Sequence, residues 1–221
     1  MCCQRALGDA VTALPRDTAQ TVSILFSDMA DIVTLGQYAD MRAAAAPIAD
    51  LGGQEHEIRT VMRSKTASYT AEFPLALGAA IAGADAAAVE TMRGAGLSLG
   101  HAFQLRDDLL GLTGSPAATG KPTGDDVREG KRTLVMWRAW RGTDDKGRAV
   151  IREALGVRDA SERSVARVLD VVHGTDAIDW SEAEIARAAR DARDALAGQR
   201  LTDAGAAALE SLITRAVDRT A

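Results

Sequence analysis

Cysteine is nearly absent from this chain, and the two present, Cys2 and Cys3, are neighbours at the N-terminus. Adjacent cysteines cannot staple a fold, so no disulfide framework is expected and a reducing, cytoplasmic setting is. Aromatic residues are also scarce, at 4%, although 47% of the chain is hydrophobic. The apolar content is therefore mostly Ala, Leu, Val and Ile, a composition that favours packed helices. Histidine occurs only at His56, His101 and His173, without metal-ligand spacing, which leaves these as ordinary core or surface residues. Long hydrophobic runs are lacking too. The longest, Phe73 to Ala84, falls short of the ~20 residues a membrane helix needs and is broken by glycines, so no membrane span is expected. The first residues show no basic segment followed by an apolar one, so no secretory leader is expected. A net charge of -5 argues against nucleic acid as a default partner. No repeat, low-complexity tract or strand pattern competes with the helical periodicity, and 221 residues suffice for one all-α domain with a substantial core.

What is present is a succession of amphipathic helices. Residues 1–14 carry little signal, and Pro15 with Asp17 and Thr18 reads as a helix entry. From Thr18 to about Ala49, Val22, Leu25, Phe26, Met29, Ile32, Val33 and Gly36 form an apolar stripe; Asp28 and Asp31, one turn apart, read as a solvated face. Leu51-Gly52-Gly53 is a break. The next helix runs from Gln54 to Phe73, where Pro74 must end or kink it. Asp85 caps a long central helix reaching Leu112. Its Gly94, Gly96 and Gly100 each sacrifice roughly 1 kcal/mol of helix propensity, for which close approach of a neighbouring helix is the usual compensation. Beyond the following loop, helices are expected over Leu134–Trp140, Asp144–Leu155, Ser161–His173, Ser181–Leu196 and Thr202–Thr220. The last two read as an antiparallel pair closing a bundle, and this final third shows no chemistry.

Chemistry concentrates between Gly100 and Thr133. The segment LGHAFQLRDDLLGL is apolar nearly all round, and carboxylates in such a helix are costly unless paired or bound to a metal, so Asp107 and Asp108 are expected to face a polar cavity. Gln104 lies one turn before Asp107 and Gly111 one turn after it. The loop beyond carries Lys121, Lys131 and Arg132. Acids and bases in this arrangement suit Mg²⁺ with a polyphosphate, the metal held by one or two carboxylates and the lysines neutralising the remaining oxygens. A solvated helix end followed by a charged loop is the alternative.

FQLRDDLLG, TGKPTGDD and EGKRT, in that order and spacing, resemble the second aspartate-rich region of trans-isoprenyl diphosphate synthases, the polyprenyl synthetase family. Upstream, GQYAD is similar to the family's GQxxD helix, and RSKTASYTAEFPLALGAAIAG to its KT helix. The motif-bearing part spans about 20–135, and a helical bundle follows over about 143–221. The resemblance implies an all-α, single-domain bundle around a central cavity. It implies condensation of an allylic diphosphate with isopentenyl diphosphate, with Mg²⁺ as cofactor. On it, Asp107 and Asp108 are metal ligands; Lys65, Lys121 and Lys131 contact diphosphate; Thr66 and Gln104 lie near the reacting carbons; Gln37, Asp40 and Phe103 line the cavity.

Two departures qualify this. Gly111 stands where many members carry the third carboxylate of DDxxD, although a glycine-ended version also occurs in the family. No DDxxD, DDxxxxD or GKxxRP segment precedes GQYAD, so the resemblance is to the C-terminal two thirds of the fold. Loss of one of two facing metal clusters implies weak or no turnover by the chain alone. The alternatives are a non-catalytic helical subunit that binds an intact synthase, or a truncated gene product. An exposed apolar groove, and with it a homo-oligomer or association with an intact synthase, is expected in each case.

Overall fold

The computed structural model describes residues 2–114 and 124–218. Helix α1 spans Cys2–Val11, in the region without sequence signal, and α2 spans Arg16–Ala45. A 3-10 turn, Ile48–Gly53, occupies the expected break. Then come α3 (Glu55–Val61), a π-helical segment (Met62–Glu72), α4 (Phe73–Ile81) and the central α5 (Ala86–Thr113). The short α6 (Asp125–Glu129) leads into α7 (Leu134–Gly142), α8 (Asp145–Ala154), α9 (Glu162–His173), α10 (Ala177–Leu196) and α11 (Asp203–Val217). No strand occurs among the described residues.

The helix starts follow side-chain capping. Asp85, Thr133, Asp144, Ser161 and Thr202 each accept a hydrogen bond from the backbone N–H three residues on, satisfying an otherwise orphaned donor. Helix α10 departs from expectation by beginning at Ala177. Ser181 is fully buried inside it, its hydroxyl donating to the Ala177 carbonyl, so it continues the helix instead of capping it.

The segment expected as one helix from Gln54 to Phe73 is uniform only as far as Val61. From Met62 the turns widen, and the Phe73 N–H bonds back to the Ser68 carbonyl five residues earlier. Pro74, with no N–H to donate, sits in the first turn of α4, so the chain remains helical across a change of pitch.

Helix α5 is the axis of the fold, packing against the π segment, α4, α10 and α11. Its glycines do different work. A Cβ on Gly100 would lie 2.7 Å from Ala67 Cα, and one on Gly96 would strike the Ala71 backbone, so both admit the π segment to backbone contact. Gly94 faces open space, contrary to the expectation of close packing there. Opposite outcomes are therefore expected from the same substitution. Gly94→Ala should stabilise by about 1 kcal/mol through propensity alone, while Gly100→Ala should cost about 2–3 kcal/mol through overpacking. Urea denaturation measures both, and a stabilising Gly100→Ala would show that the helices are not in contact there.

The largest core joins α5, α7, α8, α9 and α10 around Leu105, Leu112, Met136, Ile151, Val168 and Ile185. A second, between α1, α2 and α4, gathers Val22, Leu25, Phe73 and Ala76. Two ion pairs tie α5 outward. Glu72, 1% exposed, accepts from Arg93 Nε at 3.0 Å, and Arg106 makes a forked contact to Glu182 of α10 at 2.6 Å on both arms.

Candidate active site

Asp40, Lys65 and Thr66 are brought together because two helices touch at a glycine. A Cβ on Gly36 would lie 2.5 Å from the Lys65 backbone nitrogen, so α2 presses directly on the π segment. One turn further along α2, Asp40 accepts a 2.5 Å hydrogen bond from Lys65 Nζ. Lys65, Thr66 and Asp40 then form one wall of a cavity of about 370 Å³. Gln104 and Asp108 of α5 form the second wall, and Glu129, Gly130, Lys131, Arg132 and Thr133 close it from the loop between α6 and α7.

Asp108 is the most perturbed group in the cavity. It is 7% exposed, and burial raises its carboxyl from the ordinary 3.8 to about 7. The hydrogen bond from Gln104 Nε2 at 2.7 Å opposes that rise, as does the Lys131 charge, while the negative charges of Asp126 and Asp107 add to it. Asp126, which holds the cavity-lining Lys131, is a residue that sequence reasoning passed over. It is buried at 4% exposure, bonded to Lys131 Nζ at 2.5 Å, and seated against Gly111, where a Cβ would lie 2.7 Å from its Cγ. The glycine that interrupts the aspartate motif thus makes room for a carboxylate arriving from α6. The signal was present in the TGDD run, but nothing local in it tells which of Asp125 and Asp126 turns inward.

Lys131 also approaches Glu129 at 3.6 Å. Burial pulls its ammonium down, yet the Asp126 hydrogen bond and charge, with Glu129 and Asp108, hold it above the usual lysine range. Asp107 is half-buried and does not line the cavity. Gln37 is exposed and lines neither cavity described here, and Lys121 lies outside the described residues. Phe103 lines a different cavity, apolar and about 750 Å³, with Thr70, Pro74, Leu75 and Leu99 against α11.

No group of three or more His, Cys, Asp or Glu among the described residues converges on one metal position. The donor set nevertheless fits Mg²⁺, which takes one or two carboxylates and completes its shell with water and phosphate oxygen. The buried Asp108 carboxylate, with an amide as its hydrogen-bond donor, is an oxygen ligand whose charge a cation would compensate.

One turn before Gln104 on α5, His101 has a buried Nε2 with no hydrogen-bond partner among the described residues. Burial lowers its pKa to about 4, assisted by the charges of Arg59, Arg63 and Arg187, with Glu184 opposing. A base depressed on folding contributes stability present above its unfolded pKa of 6.5 and lost as pH falls towards 4, here about 3 kcal/mol. His101→Leu should flatten this part of the acid limb. Denaturation midpoints at pH 7 and pH 4.5 would test it, and equal acid sensitivity in both proteins would refute it.

A sequence profile of the polyprenyl synthetase family matches residues 5–172. The geranylgeranyl diphosphate synthase of Sulfolobus acidocaldarius is 31% identical over 166 residues, covering 75% of this chain and 49% of that protein. The (2E,6E)-farnesyl diphosphate synthase of Mycobacterium bovis is 36% identical over 148 residues, covering 66% and 41%. Among solved structures, the geranylgeranyl pyrophosphate synthase of Corynebacterium glutamicum, complexed with isoprenyl diphosphate and magnesium, superposes with a TM-score of 0.83 at 32% identity over 93% of this chain and 57% of that one. The KT and double-aspartate helices, the helical fold and these similarities together place the chain in the polyprenyl synthetase family. It has the all-α architecture of those structures and spans about half the length of the curated relatives it matches. No helix among the described residues is long and apolar enough to cross a membrane.

Proposed function

We propose that this chain carries the second half of a Mg²⁺-dependent prenyltransferase site, built to bind an allylic diphosphate for condensation with isopentenyl diphosphate. The observation that carries this reading is the polar cavity in which Lys65, Lys131, Gln104 and the buried Asp108 meet. In the reaction the allylic C–O bond breaks, the isopentenyl double bond attacks the resulting cation, and a proton leaves. Diphosphate departs only if its negative charge is neutralised in place.

Lys65 and Lys131 would present their ammonium groups to the leaving oxygens, and Lys121 a third from outside the described residues. Asp40 and Asp126 hold the first two in position through the 2.5 Å contacts already made. Gln104 orients Asp108, and Thr66 lines the same cavity close by. Asp108 would hold Mg²⁺ at the cavity wall, with Asp107 as the second ligand that the family motif implies although it does not line the cavity, and the metal would supply the remaining positive charge when bound.

One aspartate-rich segment is present where the family pairs two across the cavity, and on this reading the chain alone is a weak or inactive catalyst. Each missing electrostatic group commonly costs ~3 kcal/mol or more, about a hundredfold in rate. Diphosphate release from geranyl or farnesyl diphosphate plus isopentenyl diphosphate, with and without Mg²⁺, tests this on the purified chain. Binding of Mg²⁺ and pyrophosphate with little turnover is expected, and robust turnover would overturn the inactivity.

A second reading, a helical subunit or gene fragment that associates with an intact synthase or with its own copies, is favoured by α2. Leu35, Tyr38 and Met41 lie within two turns of that helix and are 66%, 63% and 64% exposed, with Ile24 at 53% further along it. Such a stripe suits burial against another helix. Sedimentation of the pure chain, alone and with an intact synthase, tests it; a monomer that binds no synthase would exclude it.

A further inference from the structure

The cations of the polar cavity are not equivalent. Lys65 is bound to Asp40, and Lys131 to Asp126 and Glu129. Arg132, which lines the same cavity, has no carboxylate partner among the described residues. One Nη1–H is directed at the Gly130 carbonyl at 3.4 Å and one Nη2–H at the Ala46 carbonyl at 3.1 Å. Among the described residues its remaining N–H bonds are uncommitted, and Nε is buried without a hydrogen-bond partner.

A half-buried guanidinium is expensive to leave uncompensated, because its desolvation is not recovered by neutral carbonyls. Burial accordingly draws its pKa below the ordinary arginine value, and no neighbouring carboxylate offsets this. The carbonyl contacts fix the plane of the group between the end of α2 and the α6–α7 loop. Its uncommitted edge is therefore preorganised, and a fixed guanidinium fork matches two oxygens of one phosphoryl group.

We infer that Arg132 is a phosphate-binding residue of this site, its free edge gripping a phosphoryl group of the bound diphosphate while Lys65 and Lys131 remain shared with their aspartates. The inference rests on the reading of the cavity as a diphosphate site and adds to it the group that supplies net attraction. The lysines arrive already neutralised, so they orient an anion more than they attract one. Arg132 brings an unspent charge.

Calorimetric titration of inorganic pyrophosphate with Mg²⁺ into the wild-type chain, Arg132→Gln and Arg132→Lys tests this, alongside the melting temperature of each without ligand. Arg132→Gln should weaken binding roughly ten- to a hundredfold, the worth of a charged hydrogen bond, and Arg132→Lys should recover part of the loss by restoring charge without the fork. Wild-type affinity in Arg132→Gln, with or without a lower melting temperature, would make the residue a structural tie and overturn the inference while leaving the diphosphate reading intact. Failure of the wild type to bind pyrophosphate would overturn both. If Arg132→Gln does not fold, phenylglyoxal modification of the wild type followed by peptide mass spectrometry decides: protection of Arg132 by pyrophosphate supports the inference, and unchanged modification overturns it.

Discussion

Replacing Asp108 with asparagine is expected to stabilise the ligand-free protein above pH 7 while abolishing its affinity for Mg²⁺ and pyrophosphate. The folded carboxyl is raised to about 7 from 3.8, so ionisation is disfavoured in the fold. Below pH 3.8 the group is protonated in both folded and unfolded chains and contributes no penalty. As pH rises through that value the unfolded chain ionises first, and the penalty grows until it is complete above pH 7, at about 4 kcal/mol. Asparagine removes the charge at nearly constant volume, and its amide oxygen can still accept from Gln104 Nε2. Urea denaturation should therefore show a gain in Asp108→Asn that is largest at pH 8 and vanishes near pH 4. Calorimetry should show metal and pyrophosphate binding lost. An asparagine variant no more stable than wild type at pH 8 would mean that Asp108 is already compensated without a metal. Stability given up at a single carboxylate is the expected mark of a site built for a ligand.

Gly111→Asp, which would complete a DDxxD pattern in the sequence, should damage the protein instead of improving it. A Cβ at this position would overlap the carboxylate of Asp126, which is 4% exposed and anchored to Lys131. The new side chain would also place another negative charge beside Asp108 and Asp126, where burial already disfavours ionisation. Several kcal/mol of destabilisation is expected, on the order of 3 from overpacking alone, with weaker binding of Mg²⁺ and pyrophosphate. Thermal melting and calorimetry check both effects, and a stable variant with tighter metal binding would show that Asp126 does not occupy that space.

Much of the helical order was legible in the chain. Asp85, Asp144 and Ser161 cap the helices that periodicity located, and Pro74 marks the change of pitch before α4. The FQLRDD segment was legible physically, because an apolar helix would not keep paired carboxylates without a partner, whereas the KT and GQYAD segments were legible only through their resemblance to the family. Less legible were the partners themselves. Asp40 was expected at a cavity wall, but its bond to Lys65, 25 residues away, depends on Gly36 letting α2 meet the π segment. Phe103 and Gln104 adjoin in sequence yet line different cavities, since consecutive positions on a helix point about 100° apart.

The amino-acid sequence by itself determined the helical class, because periodicity and caps are local properties of the chain, and its motifs in their order and spacing pointed to the family. Only the tertiary structure decided which acid neutralises which base. Asp126 was brought against Gly111, Lys65 against Asp40, and Arg132 was left without a carboxylate among the described residues. Those pairings are long-range outcomes of how closely helix backbones approach, and that distance is set by packing across the whole bundle.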